Sequence, residues 1–252
     1  MSQAINAPLV TLEFTKMRGR KQWLIVIVTV LAAGGLTLVT TVASPDFGDP
    51  PSRRWEQLLA SLKLAYAMTV PMMVAALTSR QVEIEHVGNG WLAQRTAGIH
   101  PGALCRAKFV ACALSCVGTL LLTTAGVIGF GAVVGMSAPF DPGLWLGFFA
   151  GVAVVTLSLV TLHVAVAAVF DNQLVGLGIG VVGTMLALFS KGMPTLLQHL
   201  TPWGYFGRVG GAEYQGETLV SNQPSVGSMA LLAVISAGVF MLWTLRLDRQ
   251  EG

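Results

Sequence analysis

Residues 23–43 read WLIVIVTVLAAGGLTLVTTVA, a stretch without a single charged side chain. A helix needs about 20 apolar residues to cross the hydrocarbon core of a bilayer, and this stretch meets that length. Similar apolar runs recur along the chain and predict six spans, at 23–43, 58–77, 109–134, 144–170, 174–189 and 228–245. The sequence therefore predicts an all-α integral membrane protein with six transmembrane helices, organised as a single transmembrane domain over 1–252.

The composition supports the same class of protein. Of the 252 residues, 54% are hydrophobic and 11% are charged. Soluble domains carry roughly 25% charged residues, so this chain lies far outside that class. Within the predicted spans, Lys63 and His163 are the only charged or histidine residues. Carriers driven by proton or sodium gradients bury ionisable groups in their spans, and the sequence therefore disfavours that mechanism.

The segment before the first span, residues 8–21, predicts an amphipathic helix. Phe14 belongs to its apolar stripe, whereas Glu13, Lys16 and Arg20 recur at i, i+3 and i+7 on the opposite stripe. Such a helix can lie in the headgroup plane of a bilayer, with its basic face toward anionic lipid. A disordered basic tail is the alternative interpretation of this segment.

The distribution of lysine and arginine predicts the orientation of the chain. With a cytoplasmic N-terminus, the cytoplasmic segments contain ten of these residues and the opposite segments contain four. This bias favours both termini, and the segment 82–102, in the cytoplasm. Residues 190–227 are then predicted to form an extracellular hairpin. Its rings Trp203, Tyr205 and Phe206 suit the headgroup level and are candidates for an extracellular gate.

Several kinds of chemistry are absent from the sequence. No lysine is followed by serine or threonine, so the chain contains no G-x-x-x-x-G-K-[ST] phosphate loop. No H-E-x-x-H zinc motif is present either. The sequence therefore predicts no catalytic residue, no metal site and no cofactor bound by this chain, and it gives no sign of a nucleic-acid partner.

The segment VEIEHVGNGWLAQRTAGIHPG, residues 82–102, interrupts the apolar pattern. The helix of the second span is predicted to continue to Val87, and Gly88-Asn89-Gly90 then breaks it. One or two further helical turns follow, led by a tryptophan that we expect to be exposed. Trp and Arg are common anchors of protein interfaces. A docking surface and a solvated loop are equally open, and the candidate contact residues are Glu83, Glu85, Gly90, Trp91, Gln94 and Arg95.

This segment also carries a family resemblance. Its acids, its Gly-x-Gly-Trp-Leu sequence, its Gly/Pro break and the following Arg106-x-Lys108 resemble the ABC-2 type permeases. The chain is most similar to the short permease subunits of bacterial lantibiotic-immunity and bacitracin-type exporters. LEFTKMRGRK, at 12–21, is similar to their N-terminal helix, and 202–205 lies where they have an extracellular hairpin. One departure is that Trp91 and Leu92 follow Gly90, where that family often has an acid.

The resemblance implies a function and a set of partners. In that family the loop after the second span is a coupling helix that inserts into a cleft of a separate ATPase, which binds ATP and Mg²⁺. The chain would then be a permease in the bacterial cytoplasmic membrane, paired with a second copy or a sister permease. A membrane-active peptide is the expected cargo, with multidrug or lipid export as the alternative. A secondary carrier and a non-transporting scaffold or sensor are alternatives of other classes.

Overall fold

The computed structural model describes residues 7–216 and 218–249. In these ranges the chain forms nine α-helices and one β-hairpin. The helices are α1 Ala7–Gly19, α2 Trp23–Val42, α3 Trp55–Val87, α4 Gly90–Thr96, α5 Pro101–Val134, α6 Pro142–Val169, α7 Gln173–Phe189, α8 Thr195–Leu200 and α9 Val226–Arg249. The hairpin pairs β1 Gly211–Gln215 with β2 Thr218–Asn222 in antiparallel register. Six helices are long and apolar enough to cross a membrane, which confirms the all-α prediction of six spans.

Two of the spanning helices extend well beyond their predicted ends. α3 has 33 residues and α5 has 34. At a rise of roughly 1.5 Å per residue each is about 50 Å long, against a hydrocarbon thickness of about 30 Å. The extra turns of both helices lie at the end of the bundle that holds α4, which we call the α4 side; the opposite end is the far side. These turns carry the polar residues of the functional site.

α3 is the central helix of the bundle. Of its most apolar window, 67% is buried inside the protein, against 22% for α2 and 17% for α9. It packs on α2, α5, α6 and α7. Glycines on α7 permit one of these close approaches, because a Cβ at Gly180 would lie 2.6 Å from the Cβ of Ala75 in α3. A displacement of α3 therefore reaches four neighbouring spans.

The connection between α7 and α9, predicted as an extracellular hairpin, buries its three aromatic rings. Trp203, Tyr205 and Phe206, in the short 3-10 helix Pro202–Arg208, are only 7%, 2% and 2% exposed. The Trp203 ring packs against Gly183 of α7 and lies edge-on to His163 of α6, with ring centroids 6.1 Å apart. The chain thus returns between two spans after α7, and the three rings are core residues. Within 190–227, the β-hairpin packs on the far-side end of α3.

The packing of Trp203 on α7 generates a prediction. Gly183→Leu should lower the free energy of unfolding by about 1–3 kcal/mol, the usual cost of overpacking a core. Gly178→Leu on the same helix is the matched control, because no atom lies within 4 Å of a Cβ placed there. Chemical unfolding of the purified variants in detergent measures the difference. Equal stability of the two variants would contradict a buried position for Trp203.

Candidate functional site

The polar segment between α3 and α5 folds as a compact two-turn helix, α4. Asn89 connects α3 to it in the left-handed conformation, with a φ of 49°, which asparagine tolerates better than most residues. The Ala93 amide then donates to the Asn89 carbonyl at 3.0 Å. Gly98, with a φ of 78°, ends the segment by donating to the Arg95 carbonyl at 2.8 Å. The predicted break and the predicted helical turns are both confirmed.

The two faces of α4 differ from the expectation in one respect. Trp91 is half-buried, with its ring edge-on to the His86 ring at a centroid distance of 5.8 Å. The expectation of an exposed tryptophan is therefore wrong, because the first turn of α4 directs that ring toward α3. Leu92 is the exposed apolar residue, at 60%. Gln94 is half-buried and Arg95 is exposed, so Leu92 and Arg95 face outward from the bundle.

Beneath α4 lies a set of polar side chains, buried except for the partly exposed Lys16, which we call the charged cluster: Glu13 and Lys16 of α1, Gln81 and Glu85 of α3, and Lys108 of α5. The Lys108 Nζ lies 2.7 Å from Glu13 Oε2 and 2.8 Å from Glu85 Oε1. The Lys16 Nζ lies 2.7 Å from Glu13 Oε1 and 2.6 Å from Glu85 Oε1. Gln81 Nε2 donates to Glu13 Oε2 at 2.6 Å. The cluster thus joins three helices.

The charges of the cluster balance one another. Its two lysines and two glutamates sum to zero, and the side chains of Lys108 and Glu13 are both 0% exposed. An isolated buried ion costs several kcal/mol even after relaxation, so each member depends on its partners. Burial by itself would lower the pKa of the Lys16 amine, but its hydrogen bonds to Glu13 and Glu85 hold that pKa above its usual value. The amine therefore remains charged at neutral pH.

The orientation of α1 differs from the amphipathic prediction. The helix is present, but its buried face is formed by Leu9, Glu13 and Met17, whereas Phe14 is 38% exposed. Glu13 was expected on the basic stripe at the headgroups and instead faces the protein interior, because Lys108 supplies a buried cation for it. Arg20 is exposed and follows the end of α1, so it is not part of the cluster. The sequence alone contained no sign of that pairing across 95 positions.

Gly90 connects α4 to the charged cluster. A Cβ at this position would lie 2.8 Å from the Glu85 Cα and would also contact the Glu85 carboxylate. Only glycine leaves room for the first turn of α4 to rest on that carboxylate. Glu83 lies apart from the cluster and lines a narrow cleft beside Asp171 and Asn172, at the turn between α6 and α7. Of the predicted coupling residues, Glu85 and Gly90 therefore meet directly, and Glu83 does not join them.

Sequence reasoning did not place Lys108 or Gln81 among the candidate site residues. The third span was predicted to begin at 109, where the apolar run begins, but α5 begins at Pro101, a residue suited to the first turn of a helix. That proline was the available signal that Lys108 belongs to the same helix as the span. Arg106, one turn earlier than the predicted span, pairs with Asp248 of α9 at 3.0 Å. Lys63 and His163 remain the only charged or histidine residues within the predicted spans, and Arg106 and Lys108 lie in the part of α5 that precedes the third span.

The remaining candidates lie elsewhere or concern other chemistry. Trp203, Tyr205 and Phe206 lie in the connection that follows α7 and are not brought together with α4. Among the described residues, no group of three or more His, Cys, Asp or Glu side chains is arranged to hold a metal ion. What the α4 side presents is an exposed two-turn helix that rests on an ionic junction of three helices.

The charged cluster generates a stability prediction. Lys108→Met removes the cation shared by Glu13 and Glu85 and should lower the free energy of unfolding by about 3–5 kcal/mol, the cost of leaving a buried partner unpaired. Adding Glu13→Gln to that variant should restore part of the loss, because the buried charge is then balanced again. Arg20→Met, at an exposed position of the same N-terminal segment, is the control. Chemical unfolding in detergent measures all three, and a native-like Lys108→Met protein would contradict the role of the cluster.

Similarity to known proteins agrees with this geometry. A family model described as ABC-2 family transporter protein matches residues 9–187, more than half of the chain. The match includes α4 and every member of the charged cluster. No curated protein matches the chain. The chain belongs to the ABC-2 transporter family, as a multi-pass membrane permease subunit and not a catalytic one.

Proposed function

We propose that the chain is the permease subunit of an ATP-driven exporter and that α4 docks on a separate ABC ATPase. The observation that carries this proposal is the position of α4, a short helix with an exposed outer face that rests on a buried junction of three helices. A solvated loop would have no need of a glycine that allows close contact with a buried carboxylate, as Gly90 does with Glu85. The family membership implies association with an ABC ATPase.

The contacts indicate how a displacement of α4 would enter the bundle. Because Gly90 rests on Glu85, pressure on α4 acts at the end of α3. Glu85 is tied to Lys16 of α1 and Lys108 of α5, so those helices move with it. α3 then transmits the displacement to the spans that pack on it. ATP and Mg²⁺ bind to the ATPase, and closure of the ATPase pair supplies the force on α4.

The assembly and orientation follow from the same proposal. Two permease subunits, either two copies of this chain or this chain and a sister permease, would bind two ATPase subunits. The bias of lysine and arginine puts both termini and α4 in the cytoplasm. The far side, with the β-hairpin, is then extracellular, and the membrane is the cytoplasmic membrane of a bacterium.

The proposed cargo is a membrane-active peptide of the lantibiotic or bacitracin type, expelled outward from the bilayer. Its support is the resemblance to peptide-immunity permeases and the apolar, glycine-rich surface of spans such as α7. An acid in the connection between α7 and α9 could attract a cationic peptide, but Glu213 contacts Lys63 and Lys191 and so does not offer a free negative charge. Glu217 lies outside the described residues. The peptide proposal therefore rests on apolar surface and on the resemblance.

A second cargo class has one specific observation in its favour. A cavity of about 330 Å³ lies between α6, α9 and the segment around Tyr205, and it is lined mainly by apolar side chains such as Leu200, Val239 and Phe240. This volume falls within the range of roughly 300–1,000 Å³ that is typical of small-molecule sites. Export of small apolar drugs or lipids is therefore the alternative to peptide export.

Docking through α4 has a direct test. Leu92→Glu should reduce recovery of an ABC ATPase with the tagged chain at least ten-fold, because burial of a charge at the centre of an interface removes on the order of 2 kcal/mol or more of binding. ATP hydrolysis and mass spectrometry of the purified complex from the source cells measure that recovery. Leu196→Glu is the control, since Leu196 is 74% exposed on the far side. ATPase recovery that is equal in both variants would return α4 to a solvated loop.

The cargo proposal is tested in a sensitive host. Expression of the chain with its ATPase should raise the inhibitory concentration of a lantibiotic or of bacitracin several-fold, because the peptide is removed from the bilayer where it acts. The Leu92→Glu variant should lose that protection while it is still inserted in the membrane. Protection against small apolar drugs alone, with none against any peptide, would replace the peptide exporter with a multidrug exporter.

A further inference from the structure

A second cavity, distinct from the apolar one beside α6 and α9, lies on the far side between α2, α3, α7 and the β-hairpin. Its volume is about 390 Å³. It reaches along α3 from Ala60 to Ala67, a distance of about 10 Å at the helical rise. Thr40 and Leu188, close to the far-side ends of α2 and α7, also line it. The cavity therefore extends from the far-side ends of the spans along α3 toward the middle of the bundle.

The lining of this cavity includes two lysines and one glutamate. Lys63 and Lys191 both contact the Glu213 carboxylate, at 3.2 Å and 3.3 Å. Burial raises the pKa of Glu213, but the nearby Lys63 charge outweighs that effect and holds the pKa below its usual value. The glutamate is thus ionised at neutral pH, and the charged residues that line the cavity sum to one positive charge. The Asp46 carboxylate interacts electrostatically with the Tyr214 hydroxyl, but Asp46 does not line the cavity.

The rest of the cavity lining is largely apolar. Leu64, Ala67, Leu188 and Phe206 line it, and Leu64 is 44% exposed, so that this part opens on the lipid-facing surface. Lys191, by contrast, is 52% exposed at the outer end. A ligand that fills the whole cavity must therefore present an anionic group at the membrane boundary and an apolar chain below it.

We infer that this cavity binds an anionic phospholipid of the surrounding bilayer. The phosphate takes the positive charge left by the two lysines around Glu213, and one acyl chain follows Leu64 and Leu188 into the hydrocarbon region. Lysine binds phosphate as a point charge through its three donors, which suits a headgroup that approaches from the solvent side. The bound lipid bridges α3, α7 and the β-hairpin. This inference does not depend on the proposed cargo or on the ATPase.

The test uses the purified full-length chain in detergent with added dioleoyl phosphatidylglycerol, and native mass spectrometry measures the apparent affinity. Phosphatidylcholine with the same chains tests the charge requirement, and inorganic phosphate tests the need for the acyl chains. We expect tighter binding of phosphatidylglycerol than of phosphatidylcholine, and no competition from inorganic phosphate at the lipid's concentration. Lys191→Gln should weaken phosphatidylglycerol binding about five-fold, the contribution of one lysine near an anionic surface.

Opposite changes in lipid affinity in the Lys191 and Glu213 variants distinguish lipid binding from a structural role of these residues. Glu213→Gln removes the only acid that lines the described part of the cavity and should tighten phosphatidylglycerol binding, whereas loss of a merely structural contact would weaken it. Arg54→Gln is the matched control, because Arg54 is also 52% exposed on the far side and also faces a carboxylate, that of Glu56 at 3.5 Å. Its affinity should equal that of the native chain.

Three results would overturn the inference. They are equal affinities for the two lipids, weaker binding in both Lys191→Gln and Glu213→Gln, and full displacement of the lipid by inorganic phosphate. Thermal unfolding without added lipid shows whether each variant is folded before its affinity is compared. Lys191 is half exposed, so its substitution should leave the unfolding temperature unchanged.

Discussion

The burial of the Lys108 amine between two glutamates is the interaction on which the α4 side depends. Its nitrogen is completely withdrawn from solvent, and only the carboxylates of Glu13 and Glu85, with the Gln81 carbonyl, compensate its charge. The Glu85 carboxylate forms an ion pair with Lys108 and also lies against Gly90. Removing one member therefore affects the N-terminal helix α1, the ends of α3 and α5, and α4 together. An apolar contact between the same helices could shift gradually, whereas an ionic junction in a low-dielectric site resists partial separation.

The two ends of α3 have different tasks. At the α4 side it receives α4 through Glu85, and at the far side it carries Lys63 toward Glu213 of the β-hairpin. Between these ends its apolar face is the most buried of the six spans. A single continuous helix thus connects the α4 side with the cavity on the far side. This continuity explains why a polar segment near the middle of an apolar chain matters for the whole bundle.

The sequence was sufficient for the number of spans and for the break and short helix that form α4, because apolar length and glycine positions are local signals. It was insufficient for the start of α5, since this helix begins at Pro101, before its apolar run. The exposure of Trp91 and the orientation of Glu13 depend on partners from distant helices. Trp203 illustrates the same limit: an aromatic in a connection suggested the headgroup level, and only the glycine at 183 reveals the space between spans that it fills. Local sequence patterns predicted the helices, whereas contacts between distant residues determined which face of each helix is buried.

The position of Glu13 also determines the order in which the protein can be completed. Glu13 precedes Lys108 by 95 positions, so the N-terminal helix emerges during synthesis long before its buried cation exists. Until the third span is inserted, this glutamate has to remain in water or at the membrane surface, because it cannot be buried alone. The first helix of the chain is therefore fixed only after three spans are in the bilayer. The α4 side is therefore completed by the helix that is synthesised first.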